Sequence, residues 1–345
     1  MLLEVNLSPK AAEKVAREAA VQSFDNAARS IGIDWGTPLD GKQVQRWSEK
    51  LGRRVVEKRQ EEIEAYERGE RQPCKQNDPQ LLVIEIDGGR VQNRLKNEDG
   101  SRWREDKLVT VSTALLGDPK ARRKQDREAT MLVTTHVATM GEAAEIGKLA
   151  RVEAEKRMLC RAQEVVVLGD GAAWIDGVCE DHFAHHVRIV DYYHAAEHAH
   201  DCAKAIWPED ESKRREQAER WKALLWKGKT QPLIEQLKME SARVGAPLKE
   251  DGPEHPRRVL HRNVGYFTKH AAHMNYPAYR RRGWPIGSGT VESGMKQLNK
   301  RMKGSDQFWN TDGAESILAL RGQWLSQDGR WEHYWLCTDP ASKAA

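Results

Sequence analysis

The sequence lacks the features that mark secreted and membrane proteins. Its five cysteines include no C-x-x-C pair, which argues against a disulfide framework or a zinc ribbon and favours a reducing compartment. The N-terminus has no basic segment followed by an apolar one, and no apolar run approaches the ~20 residues that cross a bilayer. We therefore predict a cytoplasmic protein with no membrane partner.

Phenylalanine is also scarce, with 4 residues against 12 tryptophans, most of which we expect in the core. Charge is abundant instead: 31% of the 345 residues are charged, and the net charge is +4. A basic protein permits a polyanionic partner without requiring one. The length allows one large core or two to three domains. There is no P-loop, and the single Gly-Ser-Gly at 287–289 is too weak to indicate a nucleotide site.

Residues 1–79 are predicted to be helical. Ser8 followed by proline is a good helix start, and Val44 and Leu51 have helical spacing. Two helices around the turn at Pro38–Gly41 match an ordinary helical hairpin or a helix-turn-helix that enters the major groove of DNA. Both interpretations stay open at this point.

Residues 80–199 carry five strand patterns. They are Leu81–Ile86, Lys107–Leu116, Met131–Ala138, Val165–Leu168 and Val187–Val190. A helix is predicted at Gly141–Cys160, where Glu153 and Arg157 have the spacing of an ion pair. Three strands, a helix, a strand, a helix and a strand is the order of an RNase H-like sheet, an α/β core with mixed strand pairing. In that order the first and fourth strands are neighbours.

Acidic residues follow three of these strands. Asp87 ends the first, and Asp170, with a glycine on either side, ends the fourth; Asp191 ends the fifth and is followed by His194. Acids at the carboxyl ends of neighbouring strands are typical of cation or substrate sites in α/β sheets, and glycine leaves room for a ligand. The simpler interpretation is that each aspartate only caps the next helix.

The remainder divides into three parts. Residues 200–279 are predicted to form a helical insertion, 280–326 to complete the core, and 327–345 to form a tail. The Gly-Ser-Gly loop should start a helix whose first turn contains Glu292, a third acid of interest. Only its order in the chain selects Glu292 from the 52 acidic residues.

Asp87, Asp170 and Glu292 could not all stay ionised close together without compensating charge. Oxygen ligands favour Mg²⁺ or Mn²⁺, and two such ions can promote phosphoryl transfer.

Seven sequence blocks resemble those of a known protein family. They are IEIDGGRV, WREDK, LGDGAAWI, RIVDYYHAAEHAH, GSGTVESG, NKRMKGSDQFW and AESILALRGQW. Together, over roughly residues 80–326, they resemble the ISKra-type transposases of bacterial insertion sequences. Those enzymes belong to the DDE group, have a retroviral-integrase-like (RNase H-like) fold, and are related to Mutator-type transposases. The chain is short at its N-terminus for that family.

The resemblance implies a function and a site. Asp87, Asp170 and Glu292 would be the catalytic, metal-binding triad for Mg²⁺ or Mn²⁺, with two ions, and Asp191 and His194 match an accessory D-x-x-H element. Water would cut a transposon end, and the freed 3′-hydroxyl would attack target DNA in line. The implied partners are double-stranded DNA, as transposon ends and target, and further copies of the chain. The implied location is the bacterial nucleoid.

Basic residues near Glu292 would then neutralise DNA phosphates, although a solvated basic face explains them equally well. They are Arg280, Arg281, Arg282, Lys296, Lys300, Arg301 and Lys303. Trp309 could stack on an unpaired base, but core packing is the better interpretation.

Two alternative functions remain. His194, Glu197 and His198 form H-x-x-E-H, a zinc metalloprotease motif. Against it, the motif directly follows a buried strand, and it leaves Asp87 and Asp170 unexplained. The other alternative is a truncated, catalytically inactive DNA-binding derivative.

Overall fold

The computed structural model describes residues 6–70, 78–304 and 307–338. Three helices come first: α1 (Pro9–Val21), α2 (Phe24–Trp35) and α3 (Gly41–Glu67). The predicted start of α1 is confirmed, because the Ser8 hydroxyl accepts a hydrogen bond from the Ala11 N–H and proline occupies the first turn. A helical N-terminal region is therefore correct within the described residues.

The centre of the protein is a mixed sheet of five strands. They are β1 (Leu81–Gln92), β2 (Trp103–Leu115), β3 (Thr130–Thr139), β4 (Glu164–Gly169) and β5 (Val187–Val190). The order is β3-β2-β1-β4-β5, in which β1, β2 and β3 are antiparallel and β4 and β5 run parallel to β1. The predicted α/β class and the adjacency of the first and fourth strands are confirmed.

The first strand is longer than predicted. Its pairing with β4 stops at Glu85, whereas its pairing with β2 continues to Gln92. Asp87 therefore lies at the point where one neighbouring strand leaves β1, not at the end of the strand. The predicted strand stopped too early because glycines follow Asp87, but β2 supplies hydrogen-bond partners for them.

Ten further α-helices complete the fold within the described residues. They are α4 (Ala143–Lys156), α5 (Ala173–Phe183), α6 (Tyr192–Ile206), α7 (Glu211–Trp226), α8 (Thr230–Val244), α9 (Pro256–His270), α10 (Tyr276–Arg281), α11 (Gly289–Met302), α12 (Thr311–Leu325) and α13 (Arg330–Thr338). The predicted insertion at 200–279 is helical, as expected. The expected tail is different: α13 packs its Trp331 and Trp335 into the core. None of the described helices is both long and apolar enough to span a bilayer.

The apolar core joins the two ends of the chain. Buried residues of α1, α2 and α3 form one cluster with buried residues of α11, α12 and α13. On the other face of the sheet, α4 and α5 pack against β1, β2 and β4. Helices α6 to α9 cover the β4–β5 side. The N-terminal helices are therefore part of the main core and do not pack as a separate unit.

The ion pair predicted within α4 is wrong. Glu153 is buried and binds Arg330, with Nη2 to Oε1 at 2.5 Å, while Arg157 contacts Asp328 at 3.5 Å. Helical spacing predicts pairs on an exposed surface, but this face of α4 is covered by the loop before α13.

Candidate active site

The candidate site is centred on Asp87, which lies on β1 just beyond the point where its pairing with β4 stops. Asp87 shares a face of β1 with Glu85, since alternate residues of a strand point the same way. Helix α11 packs against this face: a Cβ on Gly89 would meet Met295, and one on Gly294 would meet Leu108. Asp87 accepts a hydrogen bond from the Gly88 N–H at 2.8 Å.

Asp170 follows β4 directly and is held by its own loop. Its Oδ1 accepts a hydrogen bond from Ala172 N at 2.7 Å, and its backbone carbonyl accepts one from the Tyr266 hydroxyl at 2.9 Å. Gly171 has φ of +90°, and a Cβ there would lie 2.9 Å from Tyr266. The expected ligand space beside this glycine is therefore taken up by α9. Glycine is needed here for its positive φ and for close packing.

Glu292 lies in the first turn of α11, as predicted. The start of this helix is fixed by Glu85, whose Oε2 accepts a hydrogen bond from Val291 N at 2.6 Å. Glu292 itself is 3.7 Å from the exposed Lys296. A carboxylate of β1 thus positions the helix that carries the third acid.

Asp87 responds to burial and to the charges around it. The pKa of Asp87 is raised to about 6, chiefly by burial, and the charges of Asp170 and Glu292 raise it further. The Gly88 N–H and the nearby His194 lower it. Charges from the end of β4 and from α11 are therefore near enough to Asp87 on β1 to influence its pKa.

Asp191 is fully buried and fixes two segments at once. Its Oδ1 accepts hydrogen bonds from Tyr193 N and His194 N, so it caps α6. Its Oδ2 accepts bonds from both the N–H and the hydroxyl of Ser288, each at 2.5 Å. Capping is therefore real, but the contact to Ser288 adds a second role, in which Asp191 holds the loop that leads into α11.

The H-x-x-E-H motif lies inside α6, a helix that begins directly after β5. Its second histidine is nevertheless engaged elsewhere, whereas His194 Nδ1 lies 3.5 Å from Glu197 Oε2 within the motif. His198 Nδ1 is 2.6 Å from Asn263 Oδ1, and the ring stacks on Tyr266 at a centroid distance of 3.9 Å. Glu197 is largely exposed. His198 therefore packs against α9, and burial lowers its pKa.

The donor chemistry of the site fits a hard divalent cation. Asp87 and Asp170 offer carboxylate oxygens, which Mg²⁺ and Mn²⁺ prefer, and the pKa of Asp87 is raised first by burial and then by the neighbouring negative charges of Asp170 and Glu292. Within the ranges that the structure describes, however, no three His, Cys, Asp or Glu side chains form a group that could hold a metal ion. The three acids are thus neighbours without forming an assembled coordination group.

Sequence reasoning missed two buried acids at this site. Glu85 is buried, its Oε1 has no hydrogen-bond partner, and burial raises its pKa to about 7. Asp106, paired with Gly89 across β1 and β2, is fully buried with neither oxygen bonded, and burial raises its pKa to about 6. A charged residue inside the apolar run Leu81–Ile86 was the available signal for Glu85. Nothing comparable marks Asp106 in the sequence.

The predicted DNA-binding residues fall into two groups. Those that are exposed are Arg281, Arg282, Lys296, Lys300 and Lys303. Arg280 is half-buried, lying over the Trp226 ring and donating to the Trp226 carbonyl. Arg301 is buried and donates to the Ala19 carbonyl, so the prediction that it lies on a DNA-facing surface is wrong. Trp309 is buried, as core packing requires.

No protein-family model matches this chain, and no curated protein is significantly similar to it.

Proposed function

We propose that the protein is a DDE-type DNA transposase built on an RNase H-like core, which cuts and joins DNA at insertion-sequence ends. The mixed sheet with order β3-β2-β1-β4-β5 agrees with this proposal. The positions of the three acids also agree with it: Asp87 lies on β1, Asp170 follows β4, and Glu292 lies on a helix that comes after the long helical insertion. The seven sequence blocks favour a transposase in particular, because they resemble those of the ISKra-type enzymes.

One observation carries the proposal. The pKa of Asp87 is raised to about 6, and Asp170 and Glu292, distant in the chain, are among the causes after burial. Packing acids together costs free energy in the absence of a compensating cation, so such clusters are typical of sites that bind cations.

In this proposal Asp87, Asp170 and Glu292 hold Mg²⁺ or Mn²⁺. The bound ions would stabilise charge during in-line attack at phosphorus. The protein's own part is to place the acids: Glu85 and Asp191 fix the start of α11, and His194 favours the ionised form of Asp87.

The proposed partners are double-stranded DNA and, on that DNA, further copies of the chain. The exposed Lys296, Lys300 and Lys303 follow Glu292 along and just beyond α11. They would neutralise phosphates without reading sequence, and salt would weaken this contact.

Strand cleavage tests the proposal. DNA that carries the element's ends is incubated with purified protein in Mn²⁺, and nicked and joined products are resolved on denaturing gels. We expect products from wild type and none from Asp87→Ala, Asp170→Ala or Glu292→Ala. The matched control is Asp181→Ala, an exposed acid on α5, which should cleave normally.

Three other outcomes contradict the proposal. Cleavage that survives in all three variants would exclude these acids as the site. Tight zinc binding with peptide cleavage, lost in His198→Ala, would support the protease. DNA binding without any cleavage would indicate an inactive derivative.

A further inference from the structure

We infer that the tip of the β1–β2 hairpin is a stacking platform for unpaired DNA nucleotides. This inference rests on the proposed function and adds a substrate feature to it. The platform consists of two exposed aromatic rings, Trp103 and Phe308, each with a cation over it.

Both rings are unusually open to solvent. Trp103 is 43% exposed and Phe308 38%, while the neighbouring Trp309 is 3% exposed. Single exposed aromatics are ordinary on protein surfaces, but here two occur close together. Arg102 and Trp103 are consecutive on the hairpin, and Phe308 belongs to the segment that joins α11 to α12.

Each ring is paired with a positive charge. Lys303 Nζ lies 5.9 Å from the Trp103 ring centroid, and the Arg102 guanidinium lies 5.4 Å from that of Phe308. Arg94 donates to the Phe308 carbonyl. Three exposed carboxylates lie at this end of the hairpin: Glu98 and Asp99 in its turn, where Asp99 accepts the Ser101 N–H, and Glu105, which contacts Lys107 at 3.1 Å. The combination of open rings and cations suits a base that stacks and a phosphate that is neutralised.

The backbone beneath the platform is fixed. Arg94 N donates to the Trp309 carbonyl at 2.7 Å, and Trp309 N donates to the Gln92 carbonyl at 2.9 Å. The Trp309 indole N–H donates to the Met302 carbonyl. Buried Trp309 therefore ties the Phe308 backbone to β1, and the rings stand on a rigid base.

The platform lies at the far end of the hairpin from the candidate active site. Leu108, the register partner of Asp87, is five residues along β2 from Trp103. Five residues of a β-strand span about 17 Å, which equals about five nucleotides of a stacked DNA strand. Because side chains alternate between the two faces of a β-strand, Trp103 stands on the opposite face from Leu108 and Asp87, so a DNA strand that leaves Asp87 would reach the platform over the end of the hairpin. Bases inside a duplex hide their faces, so the platform suits unpaired nucleotides.

Fluorescence anisotropy tests the inference. The measurements are made in EDTA, which removes the divalent cations and so prevents DNA cleavage. The probes are a labelled single-stranded oligonucleotide of about twelve nucleotides and a hairpin duplex of the same sequence. Trp103→Ala and Phe308→Ala should each weaken single-strand binding about tenfold and duplex binding less than about twofold. Trp103→Phe keeps an aromatic face and should bind like wild type. Leu95→Ala, which removes a more exposed apolar side chain without a cation over it, is the matched control.

The alternative outcomes are distinct. Equal weakening on both probes, or none on either, overturns the platform. Phe308→Leu keeps the apolar bulk, so its loss of single-strand binding would support stacking even if Phe308→Ala unfolds. If wild type fails to cleave DNA but Trp103→Ala still loses single-strand binding, the transposase proposal falls and the platform stands. Cleavage that depends on Asp87, with unchanged single-strand binding in the variants, overturns the platform alone.

Discussion

Glu85 and Val291 are 206 residues apart in the chain, yet the Glu85 carboxylate accepts the Val291 N–H at 2.6 Å. Through this bond the strand that carries Asp87 holds the first turn of the helix that carries Glu292. A carboxylate at a helix N-terminus also interacts favourably with the helix dipole. The relative placement of two candidate catalytic acids therefore depends on a third acid that would bind no metal itself.

We predict that Glu85 makes the protein less stable as pH rises. Its folded pKa is about 7 against an ordinary 4.5, so its stabilising contribution is complete below about 4.5 and is lost as pH rises through 7. Between pH 5 and 8, denaturant unfolding should show a fall of up to about 3 kcal/mol that Glu85→Gln removes. Glu98→Gln, at an exposed hairpin position, should keep the wild-type dependence of the unfolding free energy on pH. If Glu85→Gln also keeps that dependence, the pKa of Glu85 is not raised in the folded protein.

We predict that Asp87→Asn stabilises the metal-free protein at pH 8. Wild-type Asp87 is then ionised above its raised pKa of about 6, so the variant should gain about 1–3 kcal/mol and melt higher. Millimolar Mg²⁺ or Mn²⁺ should raise the melting temperature of wild type more than that of the variant, since ligands stabilise the state that binds them. Asp170→Asn removes one of the charges that act on Asp87 and should also respond less to metal than wild type does, whereas the exposed Asp181→Asn should match wild type. Equal metal responses throughout would count against the cation site.

Asp191 should be far more important for stability than an ordinary helix cap. Asp191→Ala leaves the Ser288 N–H and the start of α6 without their acceptor, which should cost about 3 kcal/mol in the free energy of unfolding. Asp210→Ala removes the exposed capping hydrogen bond at the start of α7 and should cost about 1 kcal/mol.

Ser288→Ala provides the check on that contact. Together with Asp191→Ala it forms a double-mutant cycle, in which a direct contact should give a coupling of at least about 0.5 kcal/mol. Additive effects would mean that Asp191 acts only as the cap of α6.

The N-terminal region should contact DNA through one exposed face of α3. The α3 basic row consists of Lys42, Arg46, Lys50 and Arg53, which are exposed at helical spacing. Changing all four to Gln should weaken duplex binding and lower the slope of log affinity against log salt by about 2–4. Deleting the region would not test this, because α1 to α3 share the core with α11 and α12.

A control with the same change in charge is available on the helical insertion. It replaces Lys204, Lys227, Lys229 and Lys238 by Gln, all exposed lysines on or between α6 and α8. This variant should keep most of the salt slope. If the two quadruple variants lose affinity equally, net charge and not the α3 basic row is responsible.

The sequence was sufficient to predict elements whose signals are local. The apolar runs of β1 and β4, the Ser8 cap and the start of the helix with Glu292 were all recognisable, because strand burial and capping depend on a few adjacent residues. The order of elements also placed Asp87 and Asp170 on neighbouring strands. The strand and cap signals follow from patterns within about ten residues, whereas the adjacency of the two strands follows from the order of elements along the chain.

Only the tertiary structure decided which side chains meet. Arg301 looked like a surface cation, but packing of α11 against α1 buries it, and Glu153 binds Arg330 instead of Arg157. Gly171 makes room for Tyr266 and not for a ligand. Burial and long-range pairing depend on which elements pack together, and that choice is made by contacts between residues hundreds of positions apart. Local sequence patterns therefore predicted the acids, and packing determined how Glu85 and Asp191 hold them in place.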